Sequence, residues 1–100
     1  MIENTNSLIE AINARRLISF SYENQPIRRA APHAIYISTA GNKLLDAYQF
    51  EGHSKTGNLP DWRNFKLSKM ENLVVLDEKF EIAPGYKPLS SKYSRSIRKI

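Results

Sequence analysis

Ile27-Arg28-Arg29-Ala30-Ala31-Pro32-His33-Ala34-Ile35-Tyr36-Ile37 is the stretch that decides the fold. It opens with two adjacent arginines after an isoleucine, carries a proline four residues after the first arginine, and closes in an apolar run. Pro32 has no backbone donor, so it does not fit an ordinary mid-sheet ladder position and marks a bulge or an edge where the strand bends. The reading is a long central strand that enters cationic at the surface and ends buried. Such a strand suits a small barrel with a charged rim.

Working outward from it, residues Ser7 to Arg16 read as a helix. Leu8, Ile9, Ala11 and Ile12 recur at helical spacing, Asn6 or Ser7 is placed to cap the start, and Ser7 with Glu10 has the spacing of a capping box. Arg15 and Arg16 fall in its last turn, where cations favour the negative end of the dipole. Leu17 to Tyr22 is a first strand with Ile18, Phe20 and Tyr22 on one face. Glu23-Asn24-Gln25-Pro26 is a turn into the central strand, and Ala40-Gly41-Asn42 a turn out of it. Lys43 to Phe50 is a third strand. Glu51 to Asp61 is a polar loop, long for a hairpin and therefore a candidate functional loop. Trp62 to Lys69 reads as a fourth strand and Met70 to Leu76 as a fifth. Pro84-Gly85 breaks the chain before a basic tail with room for a short helix from Ser90 to Ile100. One helix and about five short strands in succession predict a mainly β fold: a small SH3-like or Sm-like five-stranded antiparallel barrel, since closure removes sheet edges.

A chain of 100 residues is one domain, divided here into a barrel over 1–83 and a tail over 84–100. There is no cysteine, which excludes disulfides, thiol nucleophiles and thiolate metal sites and fits a reducing cytoplasm. No segment approaches the ~18 consecutive apolar residues of a membrane helix, and the N-terminus does not read as a signal peptide. A soluble cytoplasmic protein is expected. The net charge of +5 is unevenly placed. Lys/Arg and Asp/Glu balance over residues 1–83, so the whole excess lies in Lys87, Lys92, Arg95, Arg98 and Lys99. Such a tail attracts nucleic acid or another acidic surface, or serves as a solvated terminus.

The ordered set of pieces resembles the WYL domain family from Ser7 to Phe80. The resemblance is carried by Ala11, Ile12, Arg15 and Arg16 in and after the helix, by Ile18-Ser19-Phe20-Ser21-Tyr22, by Arg28 four residues before Pro32, and by Leu44-Leu45-Asp46-Ala47-Tyr48 after the Gly41-Asn42 turn. Arg63-Asn64-Phe65-Lys66-Leu67-Ser68-Lys69-Met70 and a valine-rich strand leading to Phe80 complete it. Compact stand-alone members are the most similar, through Pro32-His33-Ala34, Tyr48-Gln49 and Gly57-Asn58-Leu59-Pro60-Asp61-Trp62-Arg63. The resemblance implies an Sm-like barrel that senses ligands for bacterial transcription regulators, phage-defence regulators or CRISPR accessory proteins. It also implies nucleic acid or nucleotide ligands, single-stranded DNA among them, bound at Tyr22, Arg28 and Arg63, with Lys69 in place of a frequent arginine. Two departures stand out. The family's Trp-Tyr-Leu triplet is Lys43-Leu44-Leu45 here, and no helix-turn-helix precedes residue 7, so a transcription-factor role for this chain alone is not expected.

The residues themselves carry the same chemistry. Arg28, Arg29, Arg63 and Lys69 offer guanidinium and ammonium donors for a phosphodiester, or else pair with Glu23, Asp46 or Glu71. Tyr22, Tyr36, Tyr48 and Trp62 offer stacking faces for bases or belong to the core, Trp62 standing out beside Arg63 at the end of a polar loop. His33 and His53 are too few for a metal centre, and no nucleophile motif is present. The expectation is a non-enzymatic module without cofactor or metal. Its ligand face comprises Tyr22, Arg28, His33, Trp62, Arg63 and Lys69, with the basic tail as an auxiliary. A protein–protein interaction or homo-oligomerisation module is the alternative.

Overall fold

The computed structural model describes residues 4–24, 26–52 and 59–100. Gln25 of the first turn, His53 and the middle of the polar loop lie outside the described residues. The described residues form one α-helix, α1 (Thr5–Ala14), and six strands: β1 (Arg16–Tyr22), β2 (Arg28–Ile37), β3 (Lys43–Glu51), β4 (Asp61–Lys66), β5 (Met70–Lys79) and β6 (Ser96–Lys99). All pairings are antiparallel, in the order β4-β3-β2-β1-β5, with β6 added against β2.

The helix forms where its apolar spacing places it, burying Leu8, Ala11 and Ile12. Its start differs from the expected capping box. Asn4 is the N-cap, its side chain makes no capping hydrogen bond, and Ser7 lies exposed in the first turn. The Asn4 side chain donates instead to the carbonyl of Met70. The end also differs: Arg15 takes the left-handed conformation (φ 55°) and returns its N–H to Ala11 and Ile12 carbonyls. The chain then enters β1 directly at Arg16, so neither arginine lies in the last helical turn.

Pro32 marks a bulge, as its missing donor requires. Against β3, Pro32 stands opposite Ala47 and Ala34 opposite Asp46, so His33 is the extra residue. The bulge reverses the inside–outside alternation of β2. Ala30 and Ile35, five positions apart, both reach the core under α1, where an unbroken period of two would place them on opposite faces. The partner on the far edge of β2 changes at the same point. Ala30, Arg29 and Arg28 pair with β1, whereas Ala34, Ile35 and Tyr36 pair with β6.

The expected closed barrel does not form. β4 and β5 do not pair with one another, and the sheet is open. The reason lies at the junction read as one long fourth strand: a 3-10 turn, Leu67–Lys69, separates β4 from β5 and sends β5 to β1. A side chain bridges the gap, Tyr22 accepting a hydrogen bond from the Lys66 N–H at 2.9 Å. β5 is correspondingly longer than expected, running to Lys79.

The tail is not a helix either. Residues 84–100 contain a 3-10 turn, Ser91–Tyr93, and β6, which meets the donors and acceptors that β2 would otherwise leave unpaired beyond Pro32. Sheet and tail therefore form three layers: α1 over one face, with Phe20, Ile35, Leu45 and Phe65 in the core, and the C-terminal segment over the other, with Tyr93 on Tyr36 and Ala34. The seam of this outer layer is Asp46, buried to 4% exposure. Its carboxylate accepts hydrogen bonds from Tyr36 (3.0 Å) and Tyr93 (2.7 Å) and pairs with Lys92 (2.6 Å). Burial and the facing carboxylate hold both phenols well above their ordinary range. Tyr93→Phe is expected to lower unfolding stability by about 1.5–3 kcal/mol, the worth of a hydrogen bond to a charged group, with the fold retained; urea denaturation followed by circular dichroism measures it.

Candidate nucleic-acid or nucleotide interface

Arg28 is the first residue of β2, and the strand that places it also buries it, leaving 8% exposed. Its guanidinium lies 5.2 Å from the ring centre of Tyr22 and 5.4 Å from that of Phe65. The Nε has no hydrogen-bond partner, and among the described residues no carboxylate forms a salt bridge with the group. Desolvation lowers its pKa from the ordinary arginine value; Tyr22 and Glu23 oppose that shift, and the like charge of Arg63 adds to it. The backbone is fitted closely around this residue. Gly52 has φ +106°, and a Cβ there would stand 2.6 Å from the Ile27 carbonyl oxygen and 2.7 Å from Arg28 Cα, which only glycine avoids.

The other expected cations are differently placed. Arg29 pairs with Glu51 (3.4 Å) and Glu78 (3.1 Å). Lys69, on the 3-10 turn, pairs with Glu23 at 3.2 Å, well exposed. Arg63 donates to Asp61 (3.1 Å) and to the Trp62 carbonyl (2.8 Å). Tyr22 is a core residue whose hydroxyl is used by β4. The structure thus brings Tyr22, Arg28 and Arg63 to one end of the sheet and leaves Lys69 in a surface pair.

His33 and Trp62 belong to the opposite face. The bulge aims His33 into an aromatic cluster, with ring centres 4.8 Å from Trp62 and 5.1 Å from both Phe80 and Tyr86. Its Nδ1 lies 2.8 Å from the Ala31 carbonyl, which only accepts, so Nδ1 carries the proton; Nε2 accepts the Ala83 N–H at 3.0 Å. Both nitrogens are used, and burial holds the pKa below its ordinary value. Trp62 donates its indole N–H to the Pro84 carbonyl (2.8 Å) and stacks with Tyr86.

Between β4 and the C-terminal segment lies a cleft of about 290 Å³, walled by Trp62, Tyr86 and Tyr93 and edged by Arg63, Lys87 and Lys92. Of the tail cations, these two lysines reach the cleft; Arg95 and Arg98 are exposed, and Lys99 bonds the Pro88 carbonyl. Sequence reasoning missed Tyr86 and Tyr93, which sit inside what reads as a charge run. It did not read Asp46 as a buried carboxylate, although an acid between Leu45 and Ala47 in a strand is itself a sign of one. Among the described residues no three His, Asp or Glu side chains gather as metal ligands. Among the same residues, no helix is long and apolar enough to cross a membrane.

No protein-family model matches the chain, and no curated protein matches it in sequence. A solved structure does: proteasome accessory factor B/C (PafBC) of Arthrobacter aurescens superposes with a TM-score of 0.68 over 85% of this chain at 17% identity. This chain corresponds to 13% of that protein's length, and the likeness is one of fold.

The geometry of His33 sets a pH dependence. The folded state holds the neutral imidazole, with a pKa below the ordinary 6.5, whereas the unfolded chain takes up a proton near that value. The stabilisation is therefore present above about pH 6.5 and is lost as pH falls through and below it. Denaturation midpoints measured between about pH 7.5 and about pH 5 should fall, by at most about 1.4 kcal/mol per pH unit from this group, and should fall less steeply in His33→Gln.

Proposed function

We propose that this chain is a non-enzymatic, cytoplasmic module of WYL-like type that binds a phosphate-bearing ligand, a nucleotide or single-stranded DNA or RNA, in a bacterial regulatory setting. Arg28 is the observation that carries the reading. Buried charges in proteins are ordinarily paired, because desolvation costs several kcal/mol per ion and a facing countercharge offsets it. Arg29, one residue along, has two carboxylates; Arg28 has none among the described residues and has Arg63 as a like charge nearby. An anion at that end of the sheet relieves both conditions. A phosphodiester matches the planar fork of a guanidinium, and Tyr22 holds that fork from behind.

Two further facts support the reading. The ordered WYL-like pieces fall on the elements that build this end: Ile18 to Tyr22 on β1, Arg28 and Pro32 on β2, Arg63 to Lys66 on β4. The fold is also shared with a segment of PafBC, itself named as an accessory factor. The departure at Lys43-Leu44-Leu45 lies at the start of β3, where Leu45 enters the core and Leu44 packs on the outer cluster. Those residues thus fill apolar space in place of an aromatic ligand contact.

Arg28→Met separates function from folding. Removing a desolvated, unpaired cation should leave stability unchanged or raise it. Affinity for a labelled single-stranded oligonucleotide at low salt should fall by roughly tenfold or more. Undiminished binding, read by fluorescence anisotropy beside a urea titration of the same variant, removes Arg28 from the site.

Self-association is the second reading, favoured by the open sheet. Among the described residues, β4 and β5 each have a strand neighbour on one side only, and Val74 on β5 is 52% exposed. Free strand edges of this kind pair with other chains. Light scattering across a concentration series should show dimer or higher mass if an edge is used; a constant monomer mass excludes this reading.

A further inference from the structure

We infer that the cleft between β4 and the C-terminal segment is a second ligand site, specific for a small planar anion of the nucleoside monophosphate class. It stands apart from Arg28. Trp62 and Phe65 are three positions apart on β4 and so occupy opposite faces of the strand, Phe65 facing the core and Arg28, Trp62 facing the tail. Arg63 borders both sites, and the rest of the cleft is built without Arg28 or Tyr22.

The division of labour in the cleft wall specifies the ligand. The polar tips of its aromatic residues are all engaged elsewhere: Trp62 Nε1 on Pro84, Tyr86 Oη on the Ile100 carbonyl, Tyr93 Oη on Asp46. Trp62 and Tyr86, each half-buried, present ring surface there, which suits a flat apolar group, and the buried Tyr93 backs them. Charge is supplied separately. Arg63, Lys87 and Lys92 line the cleft against one acid, Asp46, whose oxygens already accept Tyr36, Tyr93 and Lys92. Arg63 is paired with Asp61 and Lys92 with Asp46, so the excess positive charge of the wall rests on Lys87. Lys87 is exposed and has no salt bridge among the described residues. A ligand that satisfies this wall has a flat ring at one end and an anion at the other. A volume of about 290 Å³ lies just under the roughly 300–1,000 Å³ of small-molecule sites and fits one nucleotide unit.

Trp62 is the only tryptophan of the chain, so its fluorescence reports on the cleft directly. Adenosine 5′-monophosphate is titrated into the full chain, with uridine 5′-monophosphate and inorganic phosphate as parallel arms, and calorimetry confirms the stoichiometry. A saturable Trp62 response to a mononucleotide is expected, with phosphate alone binding much more weakly. Lys87→Glu, at an exposed position, should weaken that binding by about tenfold or more, and Arg28→Met should leave it unchanged. No saturable response to either nucleotide overturns the proposal. So does an unchanged affinity in Lys87→Glu, equal binding of phosphate alone, or loss of the response in Arg28→Met, which would place the nucleotide at the other end of the sheet.

Discussion

Pro32 cannot donate a backbone hydrogen bond, and the architecture on both sides of the sheet follows from how β2 accommodates it. The ladder to β3 admits one extra residue, His33, and the alternation of β2 reverses there. Without the reversal, Ala30 and Ile35 would not both reach the core, and His33 would not stand beside Trp62. Because β2 leaves β1 at this point, its second half needs another partner, and β6 supplies one. The His33 carbonyl accepts the Ile100 N–H, and its ring accepts the Ala83 N–H, so the bulged residue receives the C-terminal segment at two points. The buried carboxylate of Asp46, one position past the bulge on β3, then gathers two tyrosines and a lysine from β2 and that segment.

Which cations matter is decided by burial rather than by count. The pairs Lys69–Glu23 and Arg16–Asp77 lie in solvent, where ion pairs contribute about 0–1 kcal/mol and are screened by salt. Arg28 lies at the other limit. Its charge is removed from water, faces two aromatic rings and feels a second arginine. Cation–π contact offsets part of that cost, about 2 kcal/mol or more in a desolvated setting, but leaves the buried Nε unmatched. Retaining such a group where Met would pack as well is a cost to stability, and stability costs of this kind concentrate at functional sites.

Much of this was legible in the sequence, for local reasons. Period-two alternation places Ile18, Phe20 and Tyr22 on one face, helical spacing buries Leu8, Ala11 and Ile12, and proline chemistry marks Pro32 as a bulge or an edge, of which the bulge forms. What was not legible depends on partners distant in the chain. Ser7 and Glu10 satisfy a capping-box pattern, yet Asn4 begins the helix and gives its side chain to Met70, sixty-six residues away. Ser96-Ile97-Arg98-Lys99 is too short and too basic to read as a strand, and becomes one because β2 has an empty edge there. Barrel closure fails for a similar reason: the Leu67–Lys69 turn interrupts what reads as one strand, and β5 then pairs with β1, far back in the chain. The candidate site divides in the same way. The adjacent Trp62 and Arg63 were visible together, whereas Tyr86, Tyr93 and Asp46 acquire their roles only once the tail has folded back.

That folding changes what the net charge of the chain means. Residues 1–83 are neutral overall and the excess of +5 lies beyond them, a distribution that in an extended tail would amount to a diffuse, sequence-indifferent attraction for polyanions. Here the segment is anchored by the Tyr93–Asp46 and Tyr86–Ile100 hydrogen bonds and by β6, so Lys87 and Lys92 are carried on ordered backbone beside Trp62. An ordered cation next to an aromatic wall discriminates among anions by shape, which a mobile one does not. Arg95 and Arg98, exposed at the turn before β6 and on it, add a longer-range positive potential to that side of the molecule. The same seventeen residues thus complete the sheet, wall a cleft and concentrate the field, and all three depend on the edge that the bulge at Pro32 leaves open.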